Sequence, residues 1–220
     1  GMLAHRRRLI GLMSAIALGV AFLTGTLVLG DTMRASFDEV FASANAGTDA
    51  VVQGKTIVSG PRGDEQAPVP ADLVGELDNV DGVSAAQPVI QGLAQIIGSD
   101  GKPLGGNGPP TLAGNWIDND ALNPQRVASG VAPAALDEIV IDNGSAVAGG
   151  FALGDRVEVL LPDPVTFTVT GFTKYGDADS LGGSTYVGMT FPAAEKYLAI
   201  KGELGSIVLQ ADEGVTPEEL

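Results

Sequence analysis

Residues 9–30 read LIGLMSAIALGVAFLTGTLVLG, 22 positions without a charged side chain. At about 1.5 Å per helical residue the run extends ~33 Å, close to the roughly 30 Å hydrocarbon core of a bilayer. No water reaches backbone amides inside lipid, so such a segment must close its own hydrogen bonds and is predicted to be a helix despite its glycines. Arg6, Arg7 and Arg8 precede it, and the first acid is Asp31. Basic residues stay on the cytoplasmic side of a first span, so this order predicts a plasma-membrane protein with a cytoplasmic N-terminus and everything after about residue 30 outside. Gly11, Ala15 and Gly19 form one row of small residues, and Ala17, Ala21 and Gly25 another. Spacing by four lets a neighbouring helix approach closely, as in a multi-helix membrane domain.

A cleaved signal peptide is the competing reading. Its apolar core is about 7–15 residues long and is followed closely by a small-x-small site. Here the run is longer, and the first such site, Ala42-Ser43-Ala44, lies far downstream. Arg6 to Ile10 also has a weak likeness to a twin-arginine signal. The length favours a retained span. Gly1 before Met2 reads as a cloning remnant, and Thr216-Pro217-Glu218-Glu219 reads as a helix start with only Leu220 after it. The natural chain is therefore expected to continue, with further spans.

Charge divides sharply at the end of the run. Setting the three arginines aside, the 12 basic residues leave 9 against 27 acids, a balance of −18 from Asp31 onward. That field repels nucleic acid and anionic headgroups, which excludes a phosphate-binding role and suits a soluble surface or a cationic partner. The chain has no cysteine, hence no disulfide, thiol nucleophile or cysteine metal site. Its one histidine, His5, sits among the arginines on the cytoplasmic side, away from any Ser-His-Asp or zinc arrangement outside. No enzymatic role is expected, and no catalytic, cofactor or metal residue is assigned.

Beyond the run, Met33, Phe37, Val40, Phe41 and Ala44 recur at helical spacing, and Gly47 supplies a stop. Asp31 to Ala46 is thus predicted as a stalk helix. Asp49 to Val58 reads as a strand, followed by a polar loop. Val69-Pro70-Ala71 opens a short helix to Asp78, and Asp81-Gly82 turns into a strand from Val83 to Ile97. Thr185 to Thr190 is again a strand, Phe191-Pro192-Ala193 opens a helix to about Ile200, and Ser206 to Ala211 closes as a strand. Strand, proline-capped helix, strand occurs twice, which predicts two βαβ units sharing one sheet. Internal strands tolerate proline badly, so Pro88 should mark an edge or a strand end.

A β-rich insertion separates the two units. Glu138 to Ile141 is a short strand, Asp142-Asn143-Gly144 is turn chemistry, and Ser145 to Phe151 is a small helix or turn closed by Gly149-Gly150. Arg156 to Leu161 and Val165 to Phe172 are strands joined by Pro162-Asp163-Pro164. Val165, Phe167 and Val169 alternate with Thr166, Thr168 and Thr170, the pattern of a half-buried strand. Short strands and tight turns predict a small barrel-like subdomain. Gly98 to Pro110, rich in glycine and proline, is expected to be a mobile loop.

Polar motifs add little chemistry. Asp118-Asn119-Asp120 and Asp177-Ala178-Asp179 pair carboxylates in loops but lack the glycine and the distant bidentate glutamate of a calcium loop. Gly105-Gly106-Asn107-Gly108 lacks the Lys-Ser/Thr of a phosphate cradle and runs into Pro109-Pro110. Arg62-Gly63-Asp64 is the adhesion tripeptide, but Pro61 and Gly63 already account for a turn there. Trp116, the only tryptophan, is expected to be a core anchor and, if exposed, a partner surface.

Three stretches resemble the MacB/FtsX-type permeases of ABC transporters, specifically their extracytoplasmic core domain. One is the basic start, the span and its exit at Asp31-Thr32-Met33. Another runs from Asp137-Glu138 to Asp142, then Ala146, Leu153-Gly154-Asp155-Arg156-Val157 and Val169-Thr170-Gly171-Phe172. The third is Gly82-Val83 followed by Gln87-Pro88-Val89. The resemblance implies a dimeric permease, homodimer or heterodimer, that works with a cytoplasmic ABC ATPase and passes conformational change across the membrane to export or to extracytoplasmic protein partners. It also implies three later spans. The expected fold is α+β, with one transmembrane helix and then a domain of two βαβ units in a mixed sheet with an inserted β-rich subdomain. The expected divisions are 1–8 cytoplasmic, 9–30 membrane, 31–48 stalk and 49–220 core domain, with 49–112 and 176–220 as the α/β part and 113–175 as the β-rich part. The alternative is a single-span anchored binding or sensor domain.

Overall fold

A computed structural model describes residues 10, 12–13, 16–28, 47–60, 63–105, 111–180, 183–198, 202–216 and 219–220. The chain divides into two compact units, Gly1–Ala42 and Ser43–Leu220. In the first unit, residues 16–28 form helix α1. Its apolar side chains stand open, with Phe22 79% and Leu18 71% exposed. The Thr26 hydroxyl donates back to the Phe22 carbonyl at 2.9 Å, the local way for a helix to satisfy a hydroxyl. Among the described residues no helix is long and apolar enough to cross a membrane. The expected span lies only partly within those residues, and the basic start and the stalk Asp31 to Ala46 lie outside them.

The second unit begins with β1 (Ala50–Gln53), the hairpin β2 (Thr56–Gly60) and β3 (Gly63–Gln66), then β4 (Val69–Pro70) and helix α2 (Leu73–Leu77). The hairpin replaces the expected polar loop: Gly54 and Lys55 end β1, and β2 pairs only with β3. The single strand expected from Val83 to Ile97 is three strands, β5 (Val83–Val89), β6 (Gln91–Leu93) and β7 (Gln95–Ile96). Then come β8 (Thr111–Asn115), β9 (Gln125–Gly130), β10 (Glu138–Asp142), α3 (Asn143–Gly149), β11 (Arg156–Leu160) and β12 (Pro164–Tyr175). The chain closes with β13 (Thr185–Met189), α4 (Phe191–Tyr197), β14 (Glu203–Leu204) and β15 (Ser206–Ala211).

Local chemistry explains the helices. The Asp142 side chain accepts from the Ser145 N–H to cap α3, and Gly150 ends it at φ +68°, a conformation open to glycine. Thr190 caps α4, with Pro192 in its first turn. At the far end the Glu219 carboxylate accepts from the Thr216 N–H at 3.0 Å, the reciprocal half of a capping box.

Two sheets organise the unit. In the smaller, β15 lies between β1 and β5 and is antiparallel to both, so β1 and β5 run parallel with α2 in their crossover. Pro88 sits on β5, an edge strand, as its missing N–H requires. The larger sheet follows the path β6-β8-β13-β10-β12-β11-β7, with β9 also on β12. It is mixed: β10 runs parallel to β12 and β8 to β13. Only Ala94 separates β6 from β7, the two ends of that path, so the sheet must curve back on itself like a barrel.

The expectation of two βαβ units in one sheet needs correction. In the first unit β1 and β5 do share a sheet, with β15 inserted between them, while β2 pairs with β3, and β6 and β7 belong to the large sheet. In the second, β13 belongs to the large sheet and β15 to the small one, so α4 links two sheets. β13 is buried almost throughout and takes a central place between β8 and β10. Gly188 permits this, because a Cβ there would stand 2.7 Å from Val140 Cγ2.

The core runs through both sheets. Ile96, Ile139, Ile141, Val159, Val169, Val187, Met189 and Ile207 are wholly buried. Each such side chain contributes about 1.5–3 kcal/mol. On β12, Phe167 and Val169 point inward while Thr166 is exposed, as the alternation predicted.

Candidate functional site

Buried polar side chains concentrate on and beside the larger sheet. Asp142 is fully buried at the end of β10. Its carboxylate accepts from the Ser145 N–H at 2.9 Å, from the Ser145 hydroxyl, and from the Tyr186 N–H on β13 at 2.8 Å. Burial pushes this carboxyl above its ordinary value, against the lowering effect of the Ser145 and Tyr186 hydrogen bonds. Strand, helix cap and neighbouring strand are thereby tied at one group.

Beyond Tyr186 the network continues. Gln125 hydrogen-bonds the Tyr186 phenol, and its Oε1 accepts from the Thr173 hydroxyl at 2.5 Å. Tyr175 and Tyr186 meet edge to face with ring centres 6.4 Å apart. Burial pushes both phenols well above their ordinary value, so at neutral pH they remain uncharged.

Asn115, at the end of β8, does a separate job. Its Oδ1 accepts from the Ile90 N–H at 2.7 Å, and its Nδ2 donates to the Pro88 carbonyl at 2.9 Å. Ile90 is the residue between β5 and β6, so one amide pins the point where the chain leaves the small sheet for the large one. Residue types alone did not mark Asn115 or Asp142; an asparagine or aspartate beside a strand end reads as turn chemistry.

Asn115, Gln125, Tyr175 and Tyr186 line a cleft of about 340 Å³, walled also by Val51, Ile90 and Val208; Asp142 lies outside it. Its polar lining is neutral and its walls are apolar. Such a lining can hold an uncharged molecule by hydrogen bonds and contact. Among the described residues that line it there is no nucleophile paired with a base. Among the described residues no group of three or more His, Cys, Asp or Glu is placed to hold a metal ion.

The polar motifs singled out in the sequence lie elsewhere. In the Asp118–Asp120 loop, Asn119 Oδ1 accepts from the Ala121 N–H, and the Asp120 carbonyl accepts from Arg126 at 2.7 Å. Asp179 meets Lys174 at 3.0 Å and Asn143 at 2.9 Å, and these partners hold its carboxyl below the usual range, Lys174 first. Gly63 and Asp64 belong to the hairpin β2–β3, while Arg62, His5 and residues 106–110 lie outside the described residues. Trp116 is only half-buried, and its backbone N–H donates to the Met189 carbonyl at 2.6 Å.

The sequence pattern of the MacB-like periplasmic core domain matches residues 10–220. Among solved structures, the periplasmic region of MacB from Actinobacillus actinomycetemcomitans is 12% identical with a TM-score of 0.56, over 78% of this chain and 79% of that one. The extracellular domain of the noncanonic ABC-type transporter YknZ from Gram-positive bacteria is 12% identical with a TM-score of 0.47, over 75% of this chain and 85% of that one. No curated protein sequence matches. At such identity the MacB likeness speaks for the α+β fold, and the family pattern, which spans nearly the whole chain, speaks for descent. The chain belongs to the MacB-like periplasmic core domain family, the extracytoplasmic domain of MacB/FtsX-type ABC transporter permeases.

Proposed function

We propose that this chain is part of a permease subunit whose outer domain couples ATP-driven movement of membrane helices to export or to extracytoplasmic protein partners. In this reading residues 1–8 are cytoplasmic, 9–30 cross the membrane, 31–48 form the stalk, and the core domain from 49 follows. The subunit pairs with a second permease copy or a related one and works with a cytoplasmic ABC ATPase. It acts as a mechanical element, not as an enzyme.

One observation carries the proposal: within a single family match an apolar helix with exposed side chains precedes the β-rich domain. A domain pinned by buried groups such as Asp142 and Asn115 moves as a body, so displacement of the helix reaches its far surface without being absorbed by internal rearrangement. The charge step at Asp31 supports the orientation.

Single cysteines test it, since the chain has none of its own. In intact cells an impermeant maleimide should label Lys102→Cys, and Leu3→Cys only after permeabilisation. Equal labelling of both from outside, or recovery of a soluble protein lacking residues 1–30, would overturn the assignment. A full-length frame without three later spans would also count against it. The second reading, an anchored binding or sensor domain, draws on the neutral cleft between the sheets. Strong thermal stabilisation by a small uncharged compound would favour it.

A further inference from the structure

Trp116, Pro133, Leu136, Thr190, Phe191 and Pro192 wall an open groove of about 530 Å³, with Asp118 at its rim. Three separate stretches build it: the residue after β8, the connection from β9 to β10, and the start of α4. Each is held in place. The Trp116 backbone N–H donates to the Met189 carbonyl at 2.6 Å. Glu138 accepts from the Ala134 and Ala135 N–H groups at 2.8 and 3.0 Å, which sets the wall that carries Leu136. Thr190 caps α4 beneath Phe191. The groove is thus preformed, yet Leu136 remains 47% exposed within it.

Charge narrows the choice of occupant. Among the described residues no lysine or arginine lines the groove, and Asp118, which also lines it, is exposed. From Asp31 onward the balance is 9 basic residues against 27 acids. Anionic lipid, nucleic acid and a second copy of this chain would each bring like charge to that rim. A cation gains from the carboxylate, and the aromatic residues Trp116 and Phe191 in the same lining offer rings that attract a cation. Proline and aromatic walls also accept an aliphatic side chain.

We infer that this groove docks an extended basic peptide segment of a partner protein, with an aliphatic side chain against Trp116 and Phe191 and a lysine or arginine at Asp118. Rim charge governs encounter and selectivity, while apolar contact supplies the hold. The inference does not rest on the transport reading.

Trp116 is the only tryptophan in the chain and reports the groove directly. The 220-residue chain in nonionic detergent, with a micelle-only blank, is titrated with the tripeptide Ac-Leu-Lys-Leu-NH2 while Trp116 emission is followed. The expected result is a saturable shift, at least about 5-fold weaker for Ac-Leu-Glu-Leu-NH2. Asp118→Asn should weaken the lysine peptide by about 2–5-fold, the range of a partly exposed ion pair, and 0.5 M salt should erase that difference. Leu136→Ala should weaken it by about 3-fold. Thermal unfolding of both variants should match the wild type, since the altered side chains are exposed. No saturable shift, equal response to the two peptides, or unchanged affinity in Asp118→Asn overturns the inference. Equally tight binding of n-butylammonium reassigns the groove to small organic cations and overturns the peptide as its occupant.

Discussion

Removing the Asp142 carboxylate should loosen the junction of strand, helix and neighbouring strand. In Asp142→Ala the Ser145 and Tyr186 N–H groups, bonded at 2.9 and 2.8 Å in the wild type, lose their acceptor in a buried setting. Each of the two orphaned buried donors costs about 1–3 kcal/mol, a figure that for Ser145 already includes its role as the cap of α3. Relief of the buried charge offsets part of this, leaving a loss of about 3–5 kcal/mol. For a domain of ~150–250 residues that lowers Tm by roughly 6–20 °C. Asp142→Asn keeps one acceptor oxygen for the cap but turns an amide toward the Tyr186 N–H, so the loss should be about 1–2 kcal/mol. The assay is thermal unfolding followed by Trp116 emission, since that residue lies in the same unit and donates to Met189 on β13.

The same pair of proteins carries a pH signature. The Asp142 carboxyl is raised above 3.8 in the folded chain, chiefly by burial. Between the unfolded and folded values the folded chain binds the extra proton, so stability falls as pH rises through that window, and the charge penalty stands in full above it. Asp142→Asn does not titrate there. Wild type should therefore gain on Asp142→Asn as pH is lowered toward 3.8. An Asp142→Ala midpoint within about 1 °C of wild type, or a gap between wild type and Asp142→Asn that narrows on acidification, would refute the reasoning.

Other positions should respond as their surroundings dictate. Gly188→Ala sets a Cβ 2.7 Å from Val140 Cγ2 and 3.0 Å from Tyr186 Cε1, and should cost about 1–3 kcal/mol by urea unfolding. Phe167→Ala empties a wholly buried site whose ring meets Tyr197 edge to face at 5.5 Å, and should cost about 3–5 kcal/mol in the same assay. Asn115→Ala leaves the Ile90 N–H without its acceptor. It should cost about 1–3 kcal/mol, with faster amide exchange at Ile90 than at the centre of β12.

Local signals carried much of this protein. The long uncharged run predicted an apolar helix, and α1 is one where it is described. Alternation on Val165 to Phe172, Gly149-Gly150 and Phe191-Pro192-Ala193 each named an element found in place, because strand faces, caps and stops depend on neighbours within a few residues, whereas the turn expected at Asp142 is the cap and first residues of α3. Partner choice does not. Whether β13 lies beside β15 or between β8 and β10 is decided by side chains dozens of residues away and by the absence of one at Gly188. The break between β5 and β6 falls at Ile90, whose N–H donates to Asn115, 25 residues away. The cleft between the sheets and the groove at Trp116 exist only where such distant segments meet. A linear pattern records which face of a strand is apolar; which other strand covers that face is set by packing of the whole chain.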